Sequence, residues 1–346
     1  MRKLKRLILP TVILIPLNAY AISPIKISGL MEVDASFGKD YNQNKISDVT
    51  VAKVELAFDA TINAQTTAHI LMLHEDNNTE PMQLSEGIIT IQLGNGWYFN
   101  GGRMVVPFGT YETNFVTNPI TTDLGEAHKA ALQFGFERNG LYGSLYAYNG
   151  NTIKTSTALQ GDDNAEHFGT NIGYILNSGE TSFNIGADFT SSLAEADAVS
   201  GALSINTDTD GDAIADTATL SSYTHGISLH GIYTHGPWIA IMEYLKADRF
   251  QATELAFNGR GAAPSATNLE AAYSFSWGSI AMAYQTTSDA LTLGLPKYRT
   301  VIGLSMRLIE NSTLNIEHWK DQDYSNNVGG SGASRSKSTV QLAVTF

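Results

Sequence analysis

The side chains best able to do chemistry in this chain are carboxylates, a few arginines and three evenly spaced histidines. The richest stretch holds Arg103, then Pro107-Phe108-Gly109, then Glu112, Asn114, Asp123, Glu126 and His128. Arginine keeps its charge and forks onto carboxylates, so Arg103 suits either an anionic solute or the acids close to it. Charged and amide side chains gathered on one segment suit selection of a polar solute. A second group, Asp208, Asp210, Asp212 and Asp216, sets carboxylates at alternate positions with Gly211 allowing a tight bend. That arrangement suits Ca²⁺, which takes roughly 6 to 8 oxygen ligands, and it suits an acidic solvated loop equally well. His225, His230 and His235 fit no shared task on a strand. Parity sends His230 to one face and the other two to the opposite face, across roughly 33 Å at 3.3 Å per residue. The absence of cysteine excludes a thiolate metal site, a disulfide scaffold and a cysteine nucleophile. No serine, histidine and acid show the spacing of a hydrolase motif, so no enzyme is expected, although barrel enzymes do assemble sites from separate strands.

The elements that hold these residues are strands. Apolar residues recur with period two almost throughout, as in Val340-Gln341-Leu342-Ala343-Val344-Thr345-Phe346, where the even positions are apolar and the odd ones small or polar. Of 346 residues, 43% are hydrophobic and only 16% charged, which argues against disorder, and a net charge of −13 argues against nucleic acid as a partner. Residues 1 to 21 read as a secretory signal peptide: Arg2, Lys3, Lys5 and Arg6 precede an apolar run, and Ala19-Tyr20-Ala21 forms a cleavage site. Its removal takes four bases and no acid, so −13 becomes −17. Residues 22 to 346 then form one domain. Tight turns such as Asn139-Gly140 and Gly236-Pro237 alternate with longer polar segments, the habit of a transmembrane barrel. Counting predicts an all-β, antiparallel transmembrane β-barrel of about sixteen strands with no plug domain, both termini on the short-turn, periplasmic side, in the outer membrane of a Gram-negative bacterium. The first loop is expected over residues 37 to 48, the third over 109 to 128 and the fifth over 191 to 221.

The inward faces of these strands are polar and mixed in sign, with Lys26, Glu32, Asp34, Lys53, Glu55 and Asp59 on the first two strands and Glu137, Asp188, Glu270, Arg299, Arg307 and Glu317 further round. Buried charge is costly unless solvated or paired, so the interior is expected to be wet or ion-paired. Pro107-Phe108-Gly109 should end the fifth strand and turn the chain. The third loop then either caps the barrel outside or folds into the pore, where Glu112, Asn114, Asp123 and Glu126 would line the solute path. Arg103 lies opposite Met104 and Val106, so if those two meet lipid, it points inward.

The run Gly102-Arg103-x-x-Val106-Pro107-Phe108-Gly109, followed by Glu112-Thr113-Asn114, Asn118-Pro119-Ile120-Thr121 and Leu124-Gly125-Glu126, resembles the LbtU-type siderophore porins. So do Gly140 to Gly150 and the closing Ser338 to Phe346, with the likeness concentrated between residues 101 and 150. The resemblance implies uptake of ferric siderophore through a sixteen-stranded outer-membrane barrel without a TonB-linked plug. No cofactor is required, Ca²⁺ in the loop 191 to 221 being the one open question. Partners on this reading are ferric siderophore or another small solute, outer-membrane lipid and lipopolysaccharide, and the barrel-assembly machinery, which reads a terminal aromatic. The alternative is a general diffusion porin with a cation preference set by the acidic charge.

Overall fold

The computed structural model describes residues 24–75, 81–154, 165–203, 206–207 and 217–346. Sixteen antiparallel strands close into a barrel. They are β1 (Lys26–Lys39), β2 (Lys45–Thr61), β3 (Thr66–Glu75), β4 (Gln83–Gly94), β5 (Trp97–Val105) and β6 (His128–Arg138). Next come β7 (Leu141–Tyr148), β8 (His167–Ser178), β9 (Thr181–Thr190), β10 (Gly226–His235) and β11 (Trp238–Ala247). The circuit ends with β12 (Ser265–Phe275), β13 (Gly278–Ser288), β14 (Tyr298–Ile309), β15 (Ser312–Gln322) and β16 (Ser334–Thr345). β16 pairs back onto β1, and Gly29 and Phe346 exchange two backbone bonds of 2.9 and 3.0 Å that extend the seam. Closure leaves no unpaired edge, the condition a sheet must meet in hydrocarbon.

Seven tight turns lie at one end and eight longer loops, L1 to L8, at the other. At Asn139-Gly140 both residues have positive φ, 55° and 82°, the geometry that matches the twist of a hairpin. L1 is shorter than the sequence suggests. β1 and β2 run on in register to Lys39 opposite Lys45, because polar residues standing above a membrane do not stop a ladder. Residues 1 to 21 and Asp208, Asp210, Asp212 and Asp216 lie outside the described residues.

The outward face is an apolar belt. Leu132, Phe134, Leu269, Ala271, Phe275, Leu342, Val344 and Phe346 are exposed on it, as the alternation predicts. Phe136 and Tyr273 share that face and are half covered because they pack tilted and edge-on against Trp97 and Trp238, at 4.9 and 4.7 Å between ring centroids. With Phe275 against Trp277 at 5.1 Å, these rings form a girdle at the short-turn end. An even-stranded antiparallel barrel with an apolar belt and an aromatic girdle has the construction of an outer-membrane barrel. Among the described residues no helix is long and apolar enough to cross a membrane.

The buried apolar cluster lies inside the barrel, not outside it. L3 (residues 106–127) contributes Phe108, Ile120 and Leu124, L5 (191–225) contributes Leu193 and Val199, and L6 (248–264) contributes Phe250 and Leu255. They pack on Met104, Tyr146, Tyr148 and Leu245 of the wall. Loops therefore fill part of the lumen.

Candidate functional site

L3 begins where Pro107 ends the ladder, and Gly109, at φ 82°, turns the chain inward. Any Cβ at Gly109 would stand 2.6 Å from the Tyr111 ring, so only glycine fits the corner. Tyr111 closes the turn by donating its hydroxyl to the Phe108 carbonyl. The loop then crosses the lumen to the far wall, held at each step by an inward carboxylate. Asp188 of β9 accepts the Gly109 N–H at 3.0 Å. Glu243 of β11 accepts the Thr110 and Tyr111 N–H groups at 2.6 and 3.3 Å, and also the Thr121 hydroxyl. Glu270 of β12 accepts Asn114 N–H at 2.6 Å and the Thr113 hydroxyl at 2.9 Å. Glu317 of β15 accepts the Val116 and Thr117 N–H groups at 2.8 and 3.1 Å. A carboxylate out of water needs donors, and a loop backbone inside a barrel needs acceptors, so each satisfies the other.

Beyond this ladder a short helix, α1 (Ile120–Gly125), lies on β11 to β13. Gly125 is the point of closest approach, since a Cβ there would meet Leu245 Cδ2 at 2.2 Å and Tyr111 Oη at 2.5 Å. The remaining acids of L3 face the other way. Burial pushes the Asp123 carboxyl above the usual carboxylate range, against the pull of Arg299 and Arg335 across the lumen. Glu126 is likewise raised by burial, opposed by His128. Glu112 is exposed.

Two further groups of charges face the lumen, the second of them on strands that L3 also reaches through Glu317. On β2 and β3, Lys53 bridges Glu55 and Glu75, each at 3.5 Å, while His69 meets Asp59 at 2.7 Å. On β14 to β16, Arg299 forks onto Asp321 at 2.7 and 3.0 Å, and Arg335 takes the same carboxylate at 3.0 Å. Both guanidinium groups lie over the Trp319 ring, and Arg335 also lies over Tyr41 of L1 at 4.9 Å. The two walls differ in wetting. Glu243, Asn268, Glu270 and Gln285 under L3 are buried, whereas Glu32, Asp34, Lys53, Glu55, Asp59 and Glu75 stay partly exposed. At the short-turn end a vestibule of about 780 Å³ is lined by Glu32, Arg307 and Asn315.

The residues singled out from the sequence fall on different parts of the barrel. Asn114 bonds to Glu270, Asp123 lies in the field of Arg299 and Arg335, Glu126 lies in that of His128, and Arg307 lines the vestibule. Arg103 points outward. Its neighbours by register, Ala130 and Gly87, lie on the outer face, and its Nε donates to the Leu84 carbonyl at 3.1 Å near the long-loop rim. The inference failed because Met104 and Val106 are covered by the loops filling the lumen and not by lipid. Glu243, Asp321 and Arg335 went unnoticed. Glu243 stands among Ile239, Ile241 and Leu245, an inward face made apolar to receive loops, so β11 shows no alternation.

No family model matches the chain. It is similar to a UPF0422 protein of Coxiella burnetii, 28% identical over 332 residues, a match covering 90% of this chain and 67% of that one. It is equally similar to a UPF0422 protein of Legionella pneumophila, 28% identical over 324 residues, covering 87% of this chain and 59% of the relative, so the chain spans about three fifths of that relative's length. Among solved structures it is similar to an anion-selective porin from Comamonas acidovorans, with TM-score 0.64 and 14% identity over 94% of this chain and 100% of that one. The outer membrane channel DcaP of Acinetobacter baumannii gives TM-score 0.60 and 12% identity over 93% and 97%. At such identities the likeness is one of fold, a porin-like barrel, and the chemistry must be read from this chain's own lumen.

L5 supplies a second fixed point. Glu195, fully buried, takes the Lys129 ammonium at 2.9 Å, His167 Nε2 at 3.3 Å and the Asn151 and Thr152 N–H groups at 2.7 and 2.8 Å. Burial alone would raise its carboxyl, but Lys129 and His167 outweigh it and hold it below the usual range. One side chain thus ties L4, L5, β6 and β8 together on the filled side of the lumen. His230 faces inward near Asp188, while His225 and His235 pair outside with Asp248 and Thr181.

Proposed function

We propose that this chain is a passive outer-membrane channel in which L3 forms a fixed constriction and small hydrophilic solutes pass along the wall of β1 to β4. The observation that carries this reading is the ladder of Asp188, Glu243, Glu270 and Glu317 holding L3 inside the barrel while the opposite wall stays wet. The acids on the wet wall outnumber its bases, which favours cations in transit. Planar-bilayer recording of the purified barrel tests it. Steady, ohmic single-channel conductance with a cation-directed reversal potential is expected, and a barrel closed to small ions would overturn it.

A narrower reading is that the solute is a ferric siderophore, moved without a TonB-linked partner. Its support is the resemblance between residues 101 and 150, together with the partly exposed Arg335, which lies over Tyr41 and Trp319 and could offer its guanidinium to an anionic chelate. Radiolabelled ferric-siderophore uptake by cells with and without the gene separates the two. Loss of uptake on deletion supports the chelate, and unchanged uptake beside an intact conductance leaves the general channel alone standing.

A further inference from the structure

The outer wall carries a row of bases with no carboxylate at ion-pair distance among the described residues. By register Lys45 faces Lys39, Lys39 faces Ser336, Ser336 faces Lys320 and Lys320 faces Thr300, one unbroken line across β2, β1, β16, β15 and β14. The line beneath runs Ser47, Phe37, Ser338, His318 and Ile302. Alternation settles which way they point. Trp319, Asp321, Thr339 and Gln341 of the same strands are buried inside, while Phe37 and Ile302, on the face of the row, are 59% and 60% exposed. Lys39, Lys45, His318 and Lys320 are themselves exposed. The row lies at the long-loop end, directly above the apolar belt.

Like charges placed directly opposite destabilise a strand pair, yet Lys39 and Lys45 are such a pair. Among the described residues none of Lys39, Lys45 and Lys320 has a carboxylate at ion-pair distance, in contrast to Lys53, Lys129, Arg299 and Arg335 inside. Of the acids next to them in sequence, Asp40 is spent on Asn44, whose N and Nδ2 donate to it at 2.8 and 2.9 Å, and Asp321 is held inside by Arg299 and Arg335. Hydroxyls interleave the bases: Ser336 and Ser338 stand between β15 and β1, and Ser338 Oγ holds His318 Nδ1 at 2.8 Å. Adjacent strands are about 4.8 Å apart, so the three lysines span roughly 14 Å along the wall.

We infer that this row binds the phosphates of a phosphorylated glycolipid in the outer leaflet. The chemistry is that of a polyanion whose charged head lies at the rim and whose acyl chains lie along Phe37, Ile302 and Ile316 beneath it. Lysine stems cover apolar wall while their ammonium groups reach the headgroup level. The inference is independent of what passes through the lumen, and needs only that the barrel sits in a membrane.

The test titrates the detergent-purified full-length protein with bisphosphoryl lipid A, monophosphoryl lipid A and inorganic pyrophosphate, reading bound species by native mass spectrometry. Each lysine near an anionic surface contributes about fivefold, so Lys39→Gln/Lys45→Gln/Lys320→Gln should lose on the order of a hundredfold in affinity for the bisphosphoryl lipid, and Lys320→Gln alone roughly fivefold. The Lys→Arg triple variant should retain binding, and unchanged conductance reports an intact barrel. Equal binding by the wild type and by either glutamine variant would overturn the site. Pyrophosphate displacing the lipid at equal concentration would overturn the lipid assignment in favour of a free-anion site. If the glutamine triple variant fails to assemble, the single variant and the arginine triple decide between the same outcomes.

Discussion

The carboxylates of this lumen divide into those that hold the chain and those left to face water. Glu243 and Glu270 belong to the first kind, each accepting backbone and side-chain donors from L3. Hydrogen bonds to a charged group are worth about 1.5 to 3 kcal/mol each, so Glu243→Gln/Glu270→Gln should loosen L3 by several such increments. The expected result is larger open-channel noise and a higher mean conductance at unchanged barrel stability, and a trace indistinguishable from the wild type would show that the loop holds without them. Asp123 and Glu126 differ from both kinds, being partly buried on L3 itself. Burial raises both carboxyls, so they take up protons at a higher pH than free carboxylates do. As pH falls from neutral, their negative charge is lost first while Arg299 and Arg335 stay charged, and cation preference should decline. Reversal potentials across a salt gradient, measured from pH 7 downward, check this. Asp123→Asn/Glu126→Gln should flatten that part of the profile and start from weaker cation preference at pH 7.

At the scale of elements, Glu195 shows how loops become part of the wall. Its carboxyl is held below the usual range, so the stability it supplies is complete above the carboxylate's unfolded pKa and is lost as pH falls through the depressed folded value. Removing one partner of a buried ion pair costs about 3 to 5 kcal/mol, and Glu195→Ala leaves the Lys129 ammonium buried without its acid. L4 and L5 should then be cleaved by added protease on whole cells where the wild type resists, and equal resistance would show that apolar packing alone secures them. The fifth loop also carries our remaining proposal for Asp208, Asp210, Asp212 and Asp216: millimolar Ca²⁺ should slow its proteolysis, and Asp210→Ala/Asp212→Ala should remove the effect. These elements were legible to different degrees. β3 runs from 66 to 75 as alternation predicts, and the turn at Pro107-Phe108-Gly109 sits where its residue types demand. The course of L3 was not readable, because its partners Asp188, Glu243, Glu270 and Glu317 lie far along the chain and are chosen by barrel geometry. The direction of Arg103 was misread for a related reason. Period two says that two faces differ, and it does not say which one meets lipid when loops bury the inner face as thoroughly as a core.

For the whole molecule, the deciding property is the asymmetry of the lumen. Loops L3, L5 and L6 pack on the inner face, with L3 held from β9 to β15 by Asp188, Glu243, Glu270 and Glu317, so these carboxylates are shielded from the open side by the loops that donate to them. On the path we propose, transit is governed by the wall from β1 to β4, where Glu32, Asp34, Glu55, Asp59, Glu75 and Glu86 face Lys26, Lys53 and His69. Lys53 is shared between Glu55 and Glu75, which leaves the acids in excess. Their influence depends on ionic strength, since the Debye length shrinks from about 30 Å at 0.01 M to about 3 Å at 1 M. The channel should therefore be distinctly cation-selective in dilute salt and nearly unselective at 1 M. Neutralising the wet wall with Glu32→Gln/Glu55→Gln should erase much of the low-salt preference, whereas Glu270→Gln on the covered wall should leave it intact and alter only the noise. Zero-current potentials at several mean salt concentrations read both effects. If the covered-wall variant shifted selectivity as much as the wet-wall variant, ions would be passing on the side of the lumen that the loops fill, and the off-centre path would have to be abandoned.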